Sequence, residues 1–535
     1  MSPSRVRLVD LAVLTFLALV ARIGAAALVD YAPYTDPAYY TLVAERLATG
    51  HGFSVPVIWS FLEVGSKLPN PAVLPAASNG HWMPLTSVVA AAFMAVFGPT
   101  WRAGQVPMVL LSTLLVPLTY QIGWELWKRR SVAVLSGILA IFAGPLLIYY
   151  PTIENFAVFG VAGAMSLYAA TSAVRAPRPG PWLAATGLLA GLATLARVDG
   201  LLLVVAPAIA WLVLRGWRSP ALWAWGVASA LVFVAALAPW LVRNAIVFGS
   251  PFPSAGGHTL WITSYNEQFS IGHAVDAAHY FDWGWGNIIG SKISSWIDIL
   301  GRTAVLLGGT FFLTFIPGLW LHRRRPELLP FIGYWLVMVV VMGAVFTFHA
   351  PKGAFYHSAP AWLPFAIPMA VASLAPVASA AGRAWPFLRR PQTHRFLAGM
   401  ATIGAIALSA VGSSVIYAQW DRSHELDVAA AGFFEERGAT RDVVMYSDPA
   451  TLALLSGNPG VAPPFDPFPV VRRVIDAYHV RWVVVQLAPD ERTDALNFWP
   501  GASATDSEGN RATFLATTPS FEVPGELRIY QVVTQ

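Results

Sequence analysis

The stretch LVDLAVLTFLALVARIGAAALVDYAPYTDPAYY, residues 8–40, decides the fold. Its first part, Leu8 to Val29, follows Arg5 and Arg7 and is an apolar run of the length that crosses a hydrocarbon core of roughly 30 Å. Ala25-Ala26-Ala27 faintly resembles a signal-cleavage site, but the run is long for a signal segment and Arg22 interrupts it, so it reads as an uncleaved first span. The second part places Asp36 among Tyr34, Tyr39 and Tyr40 just beyond that span. Ala38, Leu42, Val43 and Leu47 recur near helical spacing and predict an amphipathic helix. Asp36 before Pro37 suits an N-cap. A carboxylate at this place also suits a general base facing a cavity at the membrane surface.

The rest of the chain repeats the apolar theme. Of 535 residues 56% are hydrophobic and 12% charged, against about 25% charged in soluble domains. Mean hydropathy is +0.56, and the apolar residues come in blocks of about twenty. The spans read as 8–29, 103–127, 131–150, 156–174, 181–197, 200–215, 220–241, 302–321, 328–347, 358–378 and 396–417. Basic loops (Arg5/Arg7, Lys128-Arg129-Arg130, Arg175/Arg178, Arg215/Arg218, Arg323-Arg324-Arg325, Arg383 to Arg395) alternate with loops carrying Asp36, Glu63, Glu154, Asp199 and Glu267. The positive-inside rule then puts the N-terminus in the cytoplasm and the C-terminus outside. Because the net charge of +5 comes from these short clusters, nucleic acid is not expected as a partner. With no Cys there is no disulfide and no thiolate metal site.

The expected fold class is an all-α polytopic membrane bundle of about eleven spanning helices with a small C-terminal α/β domain outside. Residues 1–417 form the membrane module, with long outer loops at about 30–102 and 243–301. The stretch Pro84–Phe97 is short for a span and reads as an interfacial or re-entrant helix. Residues 418–535 carry ordinary charge; Val443–Tyr446, Trp482–Gln486 and Leu527–Val533 read as strands and Val470–Tyr478 as an amphipathic helix. No Gly-rich phosphate fingerprint is present there.

Four motifs stand together along the chain: the Asp36 opening followed by Gly50-His51-Gly52-Phe53, the stretch Asn79-Gly80-His81-Trp82-Met83-Pro84-Leu85, Glu154 at the outer end of its span, and Leu195-Ala196-Arg197-Val198-Asp199-Gly200-Leu201. They resemble the GT-C superfamily of membrane glycosyltransferases, in particular the branch of protein O-mannosyltransferases and the lipid A aminoarabinose transferase. Arg243-Asn244 with Phe248 to Pro253, and Phe355-Tyr356-His357 with Pro360 and Pro364, also look familial. The sequence departs where relatives often carry Glu after the acidic residue (here Pro37), and where some place Lys before a double proline (here a single proline, with His81 nearby).

The resemblance implies a hexosyl- or pentosyltransferase in the plasma membrane, transferring sugar from a polyprenyl-phosphate donor to a protein, lipid or glycan hydroxyl at the outer face. It implies Asp36 as general base, with Glu154 orienting the acceptor. Membrane-edge cations near a lipid phosphate would be Arg197, Lys352 and Arg22. Arg22 could instead pair within the bundle, Arg197 with Asp199, and Lys352 with water. His81, Tyr39 and His357 complete the candidate substrate-binding set. The expectation is no required metal or cofactor, with a divalent cation between Asp36 and Glu154 as the alternative; no HxxxH or HExxH spacing is present. The rival readings are a transporter or flippase of lipid-linked sugar, and a non-catalytic protein that binds a surface polymer. A cavity beside Asp36 without a cation in its lining would favour the latter.

Overall fold

The computed structural model describes residues 3–253, 258–272, 274–347, 353–486, 506 and 508–533. Among these, seven helices are long and apolar enough to cross a membrane: Ser4–Leu28, Trp101–Trp127, Asn155–Arg175, Pro220–Phe248, Pro326–Val345, Phe355–Ala381 and Pro391–Glu436. Five shorter apolar helices accompany them, Leu85–Phe97, Arg130–Phe142, Gly180–Ala196, Val198–Val213 and Phe312–His322.

The stretch read as a span at 302–321 is divided. One helix ends at Leu306 and the next begins at Phe312, because Gly308 and Gly309 take φ of +67° and +71°, which glycine alone enters without strain. The upstream helix, Trp285–Leu306, begins inside the loop read at 243–301 and runs into the stretch read as a span.

Small residues let the helices approach. Gly187 and Gly191, four apart on Gly180–Ala196, face Ser229, Phe233 and Ala236 of Pro220–Phe248. This is the small-xxx-small packing that replaces hydrophobic driving force in lipid. A methyl group at Gly187 would overlap the main-chain oxygen of Ser229, which cannot swing away. Gly187→Ala is therefore expected to cost about 1–3 kcal/mol, read as a lower unfolding midpoint in detergent. An unchanged midpoint would contradict the packing.

The basic loops gather at one end. Arg130 grips Asp10 through two 2.8 Å bonds, Arg175 reaches Glu125 at 2.8 Å, and Arg325 donates to the Leu126 carbonyl at 2.7 Å. The acidic loops close the opposite end, where the C-terminal sheet also sits. Its edge strand β1, Val57–Ile58, comes from the loop after the first span. The others are β2 (Val443–Met445), β3 (Gly460–Val461), β4 (Val480–Gln486), β5 (Phe521–Val523) and β6 (Leu527–Gln531). The order is β1-β3-β2-β4-β6-β5, parallel as far as β4 and antiparallel beyond it.

The helix Pro391–Glu436 runs unbroken through the 417/418 boundary drawn from composition. The outer loops are likewise tied to the sheet domain. Asp466 accepts from the main chain of Ile271 and Gly272 at 2.7 and 2.9 Å, and from the Ser270 hydroxyl at 2.7 Å.

Candidate active site

Three helix N-termini, those of Thr35–Ala48, Asn155–Arg175 and Phe355–Ala381, meet the C-terminus of Gly180–Ala196. The helix Thr35–Ala48 is capped by Tyr34 rather than Asp36, so Asp36 sits in the first turn, where the helix dipole favours its negative charge. Glu154 is the N-cap of Asn155–Arg175, yet its side chain bonds no helix N–H. Instead the Tyr34 hydroxyl donates to one oxygen, and the other faces Nε2 of His357. His357 donates from Nδ1 to the Gly353 carbonyl at 2.5 Å and stacks on Phe156 at 4.4 Å. Its tautomer is thereby set so that Nε2 points at the carboxylates.

Arg197 caps the C-terminal end of Gly180–Ala196. Its Nε donates to Asp199 at 2.7 Å, and Ser358 donates to the other Asp199 oxygen. The pair is largely buried, with side-chain exposures of 16% and 4%. The Arg197 guanidinium couples electrostatically to Tyr40 and Glu154 as well.

Tyr34, Asp36, Tyr40, His81, Arg197, Asp199 and His357 line one cavity of about 620 Å³, whereas Glu154 is fully buried and is not part of that lining. Asp36, Glu154 and His357 each present one ligand atom, all within 4.8 Å of one another. Two carboxylate oxygens and an imidazole whose far nitrogen is held by a carbonyl form a set that fits a divalent cation.

Other expected site residues lie elsewhere. Arg22 is fully buried among helices, donating to the carbonyls of Ile141 at 2.7 Å and Ala140 at 3.4 Å and lying 4.3 Å from the Tyr150 ring. It is absent from the cavity lining, so its role is to tie helices together, because a buried cation takes the nearest carbonyls and ring face. Tyr39 is also behind the wall; its hydroxyl donates to Glu63 and accepts from the Asn79 N–H at 2.7 Å. Lys352 lies outside the described residues.

Glu63 was not singled out by sequence reasoning, and Tyr34 and Tyr40 were named only as neighbours of Asp36. Tyr34 and Tyr40 flank Asp36 in the same motif, but Glu63 stood only as one acid among many in the outer loops. Burial pushes the Glu63 carboxyl up to about 8, against the lowering effects of Tyr39 and Arg243. The unfolded chain would release this proton near 4.5 while the folded protein holds it to about 8. Stability from this group is therefore complete below about 4.5 and is lost as pH rises toward 8. In detergent the unfolding midpoint should fall between pH 5 and 8, and fall less in Glu63→Gln; parallel curves would remove Glu63 as the cause.

The fold is similar to that of two solved proteins, an archaeal oligosaccharyltransferase and ArnT. The chain is similar to the archaeal oligosaccharyltransferase AglB from Archaeoglobus fulgidus, in complex with an inhibitory peptide and a dolichol-phosphate (TM-score 0.57, 12% identity, 92% of this chain and 71% of that one). It is similar also to ArnT from Cupriavidus metallidurans bound to undecaprenyl phosphate (TM-score 0.57, 12% identity, 100% of this chain and 99% of that one). The apo state of ArnT matches at TM-score 0.54 with 13% identity. No protein-family model matches the sequence, and no curated protein does. At these identities the likeness carries the fold, and the chemistry has to be argued from the cavity.

Proposed function

We propose that the protein transfers a sugar from a polyprenyl-phosphate donor to an acceptor hydroxyl at the non-cytoplasmic face of the membrane. The observation that carries this reading is that Asp36, His357 and Arg197 line one cavity at the end of the bundle opposite the basic loops. An acid alone would suit many roles. A carboxylate that can accept a proton, together with a cation that can hold a phosphate, suits glycosyl transfer.

In this reading the acceptor O–H gives its proton to Asp36 as its oxygen bonds the anomeric carbon. The bond from that carbon to the phosphate oxygen breaks, and polyprenyl phosphate leaves with an added negative charge. Arg197 faces that charge, held in place by Asp199 and Ser358. Glu154 and His357 orient the groups around Asp36, with Tyr34 fixing the Glu154 carboxyl. In this reading His81, in the same lining, contacts the substrate. A divalent cation on Asp36, Glu154 and His357 would add positive charge toward the donor phosphate; the transfer as written runs on the chain's own groups.

The test is reconstitution in lipid vesicles with a radiolabelled polyprenyl-phosphate sugar. Time-dependent release of free polyprenyl phosphate with label on an acceptor supports the reading. Movement of intact labelled lipid between leaflets, with no bond cleaved, would replace it with the flippase.

A further inference from the structure

The basic end of the bundle carries a second cavity, of about 340 Å³. Four elements build it. The start of the first span gives Arg7, and the end of Trp101–Trp127 gives Trp124, Glu125 and Lys128. The end of Asn155–Arg175 gives Arg175, and the start of Gly180–Ala196 gives Trp182. Two helix N-termini and two C-termini meet here, so their partial charges offset one another and the side chains set the sign.

Three cations in this lining face one carboxylate, and that carboxylate is already engaged. Oε2 of Glu125 accepts from Arg175 at 2.8 Å, and Oε1 accepts from the Gln121 amide and from the Tyr168 hydroxyl at 3.1 Å. Arg7 has neutral partners: it donates to the Gln121 side-chain oxygen at 2.5 Å and lies 5.9 Å from the centre of the Trp124 ring. Lys128, exposed at the helix end, has no ion-pair partner among the described residues. Arg130 and Arg325 at the same end differ, being held by Asp10 and Glu327. The positive-inside rule asks for charge on this side of a membrane; it does not ask for two uncompensated cations around a cavity.

A free anion and a lipid headgroup would both answer that charge, and the helix Trp101–Trp127 favours the lipid. Val106, Leu110, Leu114, Leu118, Gln121 and Glu125 recur at spacings of four and three, so they share one face. On that face Val106, Leu110 and Leu114 are exposed. An exposed apolar stripe along a spanning helix therefore leads to the charged cavity at its end. Trp124 and Trp182 in the lining suit the headgroup level, where indole rings settle. A phosphate that carries acyl chains uses both parts; a free phosphate uses the end alone.

We infer that this cavity binds the phosphate headgroup of an anionic membrane phospholipid, with acyl chains lying along the face that carries Val106, Leu110 and Leu114. Basic pockets between spans are suited to such headgroups. The site stands apart from the proposed transfer chemistry and does not depend on it.

The full chain, stripped of lipid in a neutral detergent, is titrated with dioleoylphosphatidylglycerol, dioleoylphosphatidylcholine or glycerol phosphate. The unfolding midpoint is followed, because a ligand of the folded state raises it. Phosphatidylglycerol is expected to act at about tenfold lower concentration than phosphatidylcholine. Glycerol phosphate, which lacks the chains, should leave the midpoint unchanged. Arg7→Gln/Lys128→Gln should weaken the phosphatidylglycerol response about tenfold or more, at about 1 kcal/mol for each basic residue. Lys128→Gln alone, at an exposed side chain, should weaken it about fivefold and covers the case in which the double variant does not fold. Arg324→Gln/Arg383→Gln removes two exposed charges outside the cavity lining and should respond as wild type does.

Equal responses to the two phospholipids would overturn the site. So would a phosphatidylglycerol response that Arg324→Gln/Arg383→Gln lowers as much as Arg7→Gln/Lys128→Gln, since a diffuse surface field would then explain it. Glycerol phosphate that raises the midpoint as far as phosphatidylglycerol, and fails to in Arg7→Gln/Lys128→Gln, overturns the lipid in favour of a free anion.

Discussion

Asp36→Asn is expected to slow sugar transfer by about 10²–10⁴-fold, the range general base catalysis contributes. Asn has nearly the same shape and keeps an acceptor oxygen, so substrate binding should survive while proton removal does not. Asp36 stands in the first turn of Thr35–Ala48 and shares the cavity with Arg197 and His357. Loss of its charge also weakens one of the three ligand atoms within 4.8 Å, leaving Glu154 and His357 with a neutral amide oxygen beside them. The expected signature is a lower kcat with KM for the donor changed little, because in the proposed transfer the base acts as the new bond forms. Folding is controlled by the unfolding midpoint, which this partly exposed position should leave near wild type. An Asp36→Asn enzyme as fast as wild type would take Asp36 out of the mechanism.

Arg197→Gln should produce two separable losses. Removing one member of a buried ion pair leaves Asp199, 4% exposed at its side chain, with its charge answered only by Ser358. That arrangement typically costs about 3–5 kcal/mol of stability. On the proposed function the second loss is the grip on the donor phosphate, worth about ten- to a hundredfold in affinity for a charge-assisted hydrogen bond. The double variant Arg197→Gln/Asp199→Asn separates them, because it also removes the stranded carboxylate. The unfolding midpoint should recover in the double variant, while farnesyl phosphate affinity and transfer stay low. Recovery of both together would make Arg197 a strut of the fold and no part of phosphate binding.

The two substitutions probe side chains whose importance differs in visibility. Asp36 stands out because a carboxylate just past a membrane span is conspicuous against apolar neighbours. Arg197 and Asp199 are two apart and pair where the chain leaves a helix, so their partnership too is local. Glu154 and His357 are separated by two hundred positions, and nothing in the spacing of either pointed to the other; packing of Asn155–Arg175 against Phe355–Ala381 brings them together. The same holds for Tyr34 with Glu154, and for Ser60 with Gln268.

Arg22 shows the converse. A cation inside an apolar run has few outlets, and the sequence leaves open whether it meets a lipid phosphate or the bundle itself. The carbonyls of Ile141 and Ala140 are its partners, and they become available only where Arg130–Phe142 reaches its end beside the first span.

The membrane class, the acidic and basic ends of the bundle and the sheet-bearing C-terminal region follow from the sequence alone, because apolar run length, charge clustering and strand pattern are local properties. Which polar side chains share the cavity, which cation stays behind in the bundle, and that Val57–Ile58 of the first outer loop completes the C-terminal sheet were decided only by tertiary structure. Those outcomes depend on how distant helices and strands pack, and residue spacing along the chain carries no measure of that distance.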